Sequence, residues 1–165
     1  MQIRSRFHLI LITTLAAVTL AAGCSSESAR QGRTFHMGEK VQAGPLIYTV
    51  VDTQWRSQLG EPENPRVPTN RFLLVKLSVT NSGGLSETIP ALVLEDIAGQ
   101  THPELTEAPG LERWFGALRR ITPAQTQDGY VVFDVPTGAY KLQLTDDTDL
   151  ANPVIHSVEL PPNLD

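Results

Sequence analysis

From Phe72 to Thr80 the chain carries the pattern of a half-buried strand. Leu73, Val75, Leu77 and Val79 fall on one face of an extended backbone, and Lys76, Ser78 and Thr80 fall on the other. Successive side chains of a strand point to opposite faces, so this period of two marks a strand with one side in a core. No segment after residue 24 sustains an apolar stripe at the 3.6-residue period of a helix. With no amphipathic helix to cover a sheet, a chain of this kind must bury its strands by packing sheet on sheet.

Further runs repeat the pattern, each ended by glycine or proline. Leu46 to Trp55 follows Ala43-Gly44-Pro45, and Ala91 to Asp96 leads to a turn at Ala98-Gly99-Gln100. In Tyr130 to Val135, Val131, Phe133 and Val135 share a side, and Pro136-Thr137-Gly138 stops the run. Tyr140, Leu142 and Leu144 alternate with polar residues, and Val154 to Leu160 ends at Pro161-Pro162. About seven short strands in such a length predict an all-β, immunoglobulin-like β-sandwich. Cys24 is the only cysteine, which excludes the disulfide-bearing antibody subtype and leaves stability to the packed core. Two connections are long, Ser57 to Asn70 with three prolines and Pro103 to Glu112 with Pro109-Gly110. Connections of that length are either functional or insertions the sandwich tolerates.

The amino end has a different logic. Arg4 and Arg6 precede an uncharged, mostly apolar run from Leu9 to Ala22, and Leu20-Ala21-Ala22-Gly23 leads into Cys24. That order is the order of a secretory signal peptide, and the run falls short of the ~20 apolar residues a transmembrane helix needs. The segment resembles the lipobox of bacterial lipoprotein precursors, with Ala21 at the position usually held by a branched residue. The resemblance implies diacylation of the Cys24 thiol, cleavage before it, and anchoring to a membrane through the lipid. The expected organisation is a removed signal peptide over 1–23, a lipidated tether over 24–33 and one sandwich domain over 34–165. In a two-membrane cell, Ser25 in place of the aspartate that resembles an inner-membrane retention signal points to the outer membrane.

Cleavage removes two of the 13 basic residues and none of the 18 acidic ones, leaving 11 against 18, a formal charge of −7. Nucleic acid is thereby excluded as a partner, since it demands a basic patch.

From Phe35 to Leu160 the chain resembles a family of bacterial secreted proteins and lipoproteins of unknown function. The residues that carry it are Met37-Gly38-Glu39, Leu46 to Val50, Leu73 to Asn81, Leu94-Glu95-Asp96 with Gly99, and Gly129 with Val132 to Pro136. That family is similar to the mycobacterial secreted immunoprotective antigen, an immunoglobulin-like sandwich. These motifs are core alternations and turns, so the resemblance implies a fold and carries over no site residue.

Chemistry is sparse. Asp146-Asp147-Thr148-Asp149 lacks the glycine and distant glutamate of a calcium loop and reads as a solvated turn. His36, His102 and His156 lie far apart in sequence, so no local pair nucleates zinc, and Met37 is the one methionine left for copper. Glu95 and Asp96 are neighbours that point to opposite faces of a strand. No nucleophile elbow is present, and no catalytic residue, metal or cofactor is expected. The candidate interface is Arg113, Trp114 and Phe115, with Arg119 and Arg120 beside it. Neighbouring aromatics in an extended segment face opposite ways, and arginine and aromatic side chains dominate interface hot spots. The alternative is that these aromatics cap the sandwich, and that Arg119-Arg120 is a solvated pair. The sequence thus describes a lipid-anchored, extracytoplasmic, non-enzymatic module for a protein or envelope component. A small-ligand or metal-binding protein is the second reading, to be favoured if the histidines converge on carboxylates.

Overall fold

The computed structural model describes residues 29–162. The apolar run Leu9 to Ala22, Cys24 and the first part of the tether lie outside them. Eleven strands follow one another: β1 Arg30–His36, β2 Lys40–Ala43, β3 Leu46–Arg56, β4 Arg71–Asn81, β5 Glu87–Thr88, β6 Val93–Asp96, β7 Thr101–Pro103, β8 Arg120–Ile121, β9 Thr126–Val135, β10 Tyr140–Asp146 and β11 Val154–Leu160. They form a five-stranded sheet in the order β1-β11-β10-β6-β7, a four-stranded sheet β2-β3-β4-β9, and a small pair β5-β8. The architecture is the expected immunoglobulin-like sandwich. The surplus over about seven strands comes mainly from short pieces such as β2, β5, β7 and β8, too brief to show a period.

One boundary differs from the sequence reading. Arg30 to Arg33, assigned to the tether, form the first half of β1, which runs parallel to β11 with Arg30 opposite Val154. The stretch is polar because β1 is an edge strand with its residues largely exposed, so no alternation betrays it.

The core lies between the two large sheets. The β4 residues Leu73, Val75, Leu77 and Val79 are all buried, as their alternation requires, and meet Leu94, Leu142 and Val158 of the other sheet in one cluster. In β3, Leu46, Tyr48 and Val50 face this core. Strict alternation would then send Trp55 to the opposite face, but the register shifts between Val50 and Asp52. That extra residue returns Trp55 to the core side, where it packs against the cluster with its ring 6.2 Å from Tyr140. A bulge restores parity in this way wherever one residue is inserted into a paired strand.

A second core sits on the outer face of the four-stranded sheet. Phe72 and Leu74 of β4 and Val132 of β9 are buried there under Leu59 and Ala108. The covering residues come from the two long loops: the first is folded on itself by the Leu59–Arg66 bridge, and it meets the second where the Arg66 guanidinium donates to the Glu107 carbonyl. Gly60 and Gly110 allow the contact, for a Cβ on Gly110 would lie 2.5 Å from the Gly60 Cα. Asp134 holds the far end of the first loop by accepting from the Thr69 and Asn70 amides at 2.7 and 2.8 Å. Both loops are therefore structural covers for a sheet that is apolar on two sides.

Candidate functional site

The segment Arg113–Phe115 lies along β9. The Tyr130 amide donates to the Arg113 carbonyl at 2.8 Å and the Phe115 amide donates to the Tyr130 carbonyl at 3.0 Å, so Trp114 bridges Tyr130 in parallel. Gly129 permits the approach: a Cβ there would meet the Arg113 carbonyl oxygen at 2.7 Å and the Phe115 ring at 2.9 Å. Arg113 adopts φ 58°, the left-handed region that side chains other than glycine seldom occupy. The turn places its exposed side chain between two shallow recesses. One, of about 410 Å³, is lined by Arg113, Trp114, Phe115, Gln127 and Asp128. The other, of about 390 Å³, is lined by Arg56, Leu111, Arg113 and Tyr130 among others.

The two aromatics do face opposite ways, yet each finds a core. Trp114 packs against the Phe72–Leu74–Val132 cluster, and Phe115 packs against the main core. Both are half-buried. Of the five candidate residues, Arg113 and Arg120 are exposed.

Arg119 corrects the sequence reading most sharply. It is not half of a solvated pair: its side chain is 2% exposed and its Nη2 lies 2.5 Å from Oε1 of Glu104, itself 9% exposed. Its Nε donates to the Ile89 carbonyl at 3.2 Å and Nη2 to the Pro90 carbonyl at 2.6 Å, and the guanidinium lies 5.7 Å from the Phe115 ring centroid. The pair joins the two ends of the loop that carries Trp114. Nη1 of Arg119 and Oε2 of Glu104 are buried without a partner. Burial pushes the Glu104 carboxyl above its ordinary range, more than the Arg119 guanidinium pulls it down. Sequence reasoning did not join Glu104 to Arg119, because no local pattern links the two. They lie 15 residues apart across an irregular loop.

The histidines do not meet one another, and two of them each face a single carboxylate. His36 Nδ1 is 3.4 Å from Glu159 and His102 Nε2 is 3.1 Å from Asp96, while His156 Nδ1 accepts from the Arg33 amide at 3.2 Å. Among the described residues no three histidines, cysteines or carboxylates are grouped to hold a metal ion. Glu95 and Asp96 do point apart: Glu95 accepts from Gln143 at 2.7 Å and Asp96 pairs with His102. In the acidic turn, Asp146 Oδ1 accepts from the Thr148 amide and hydroxyl at 3.0 and 2.6 Å. These bonds, the side-chain one foremost, hold its carboxyl below the usual range. Asp149 likewise accepts from Ala151 and Asn152, so two carboxylates are engaged by their own turn.

What the fold defines is an immunoglobulin-like β-sandwich whose core closes without an intramolecular disulfide. The chain belongs to the family described as a domain of unknown function, DUF4352, whose model matches residues 35–153. It is similar in fold to the yjhA protein of Bacillus subtilis, at 15% identity and a TM-score of 0.60, over 77% of this chain and 99% of that one. It is also similar to the secreted protein MPT63 of Mycobacterium tuberculosis, at 16% identity and a TM-score of 0.55, over 80% and 99%. A third likeness is to ycdA of Bacillus subtilis, described as a candidate lipoprotein, at 13% identity and a TM-score of 0.53, over 73% of this chain and 38% of that one. Identities this low speak for the fold alone. No curated protein matches the chain.

Proposed function

We propose that the protein is a lipid-anchored, extracytoplasmic binding module without catalytic activity, held at a membrane by acylated Cys24 and engaging a protein or envelope component. The observation that carries this reading is the sequence from Leu9 to Cys24, an uncharged apolar run ending in small residues before the only cysteine. Two acyl chains give a stable anchor where one gives a marginal one. The contact surface is the neighbourhood of Arg113, exposed between its two recesses with Arg56 at one wall. Trp114 and Phe115 contribute their exposed edges and serve mainly to hold that backbone in place. The recesses carry Glu112 and Asp128 beside Arg56 and Arg113, so a partner presenting both signs of charge suits them.

Metabolic labelling with a fatty acid followed by fractionation tests the anchor. The wild type takes up label and sediments with membranes, and Cys24→Ala loses the label and is released or misprocessed. An unlabelled, soluble wild type refutes the reading. For the surface, Arg113→Glu lowers crosslinking to the native envelope partner while the melting temperature stays put. An unchanged crosslinking pattern removes Arg113 from the interface.

A further inference from the structure

The end of the sandwich nearest the lipid is itself built to meet a bilayer, and we infer that Leu85 and Leu150 seat there on the lipid surface. This rests on the anchoring proposed above. Arg30 follows Cys24 by six positions, so the intervening chain reaches at most about 20 Å even when fully extended. Arg30 begins β1 and pairs with Val154, the first residue of β11. The chain therefore leaves the domain at the end that carries the β10–β11 turn. Three connections meet at that end. The β2–β3 turn at Gly44 is backed by Thr148 and Asp146 of the β10–β11 turn, and Gly83 of the loop after β4 lies against Pro45. Leu150 protrudes from one of these connections at 80% exposed and Leu85 from another at 76%.

The opposite end cannot take the same place. Ile97 caps the β6–β7 hairpin, next to the Asp96–Tyr140 pair, and Tyr140 pairs with Leu160 at the far end of β11. Strands of 11 residues make the sandwich about 35 Å tall, more than the reach of the tether. A protruding apolar side chain at the tether end is thus presented to lipid continuously, whereas Ile97, 91% exposed, faces away. Asp146 and Asp149 turn their carboxylates into their own loop, while Asp147 and Arg30 stay exposed, one charge of each sign, so the seat suits a zwitterionic surface.

The test couples the Cys24 thiol of the mature chain to a maleimide lipid in phosphatidylcholine vesicles with brominated acyl chains, which quench only nearby tryptophan. Leu85→Trp, Leu150→Trp and Ile97→Trp are compared after subtraction of the wild-type emission from Trp55 and Trp114. The added emission at 85 and 150 is expected to be largely lost and that at 97 retained. Equal quenching at all three, stronger quenching at 97, or none at 85 and 150 overturns the orientation. Chemical coupling keeps this outcome separate from the anchor: a protein that takes up fatty acid in cells yet fails here retains its lipid and loses the proposed seat. A protein that takes up none loses both in the native membrane.

Discussion

Replacing Arg119 with methionine should be among the most damaging single changes in the domain. The variant keeps much of the apolar stem against Phe115 but removes the charge that faces Glu104 at 2.5 Å. A carboxylate 9% exposed is then left without its counterion, and breaking a buried pair in this way costs ~3–5 kcal/mol. Against a total stability of about 5–15 kcal/mol, that lowers the melting temperature by roughly 10–20 °C. The loss carries a pH signature. The Glu104 carboxyl already lies above its ordinary range when folded, and without Arg119 it rises further. Between the unfolded value near ~4.3 and the folded one, the native state binds the extra proton, so stability rises as pH falls, by up to about 1.4 kcal/mol per pH unit. Urea unfolding of Arg119→Met at neutral and mildly acid pH should therefore show a deficit that shrinks on acidification. Pairing it with Glu104→Leu should recover most of the loss, because a buried pair replaced by apolar groups is often neutral. A single variant within about 0.5 kcal/mol of wild type, or a pH-independent deficit that the double variant only deepens, would refute the reasoning.

Val75→Asp or Leu77→Asp should cost several kcal/mol by burying an unpaired charge, while Ser78→Asp on the outer face stays mild; equal losses in thermal melts would overturn the face assignment. Trp114→Ala with Phe115→Ala should destabilise the domain by about 3 kcal/mol, since each half-buried ring loses part of the 3–5 kcal/mol of a fully buried one; an unchanged melt would return both to the surface. Asp146 has its carboxyl held below the usual range by Thr148, so it stabilises above ~3.9 and that contribution fades as pH falls through its folded value. The gap between wild type and Asp146→Asn should accordingly close on acidification, measured by unfolding at pH steps below neutrality.

The strands that carry the main core were legible because their periodicity is local. Leu73, Val75, Leu77 and Val79 announce their shared face, and Tyr140, Leu142 and Leu144 do the same in β10. Where a strand is short or polar, as in β1 and β8, the residues hold their place through neighbours distant in the chain, and no local pattern records it. Phe72 and Leu74 of β4 and Val132 of β9 interrupt the polar outer face of their sheet, but the alternation by itself does not say what covers them.

By itself the sequence determined the fold class, the separate character of the amino end and the inward faces of the long strands, since each depends on residues within a few positions of one another. Tertiary structure alone decided that the long loops cover a second core, that a bulge turns Trp55 inward, and that Trp114 and Phe115 pack on different clusters. It also decided that Arg119 is buried against Glu104 while Arg120 stays in water. Those outcomes depend on which segments meet after the sheets have formed. A side chain's burial is set by the surface opposite it, and the chain order does not say what that surface will be.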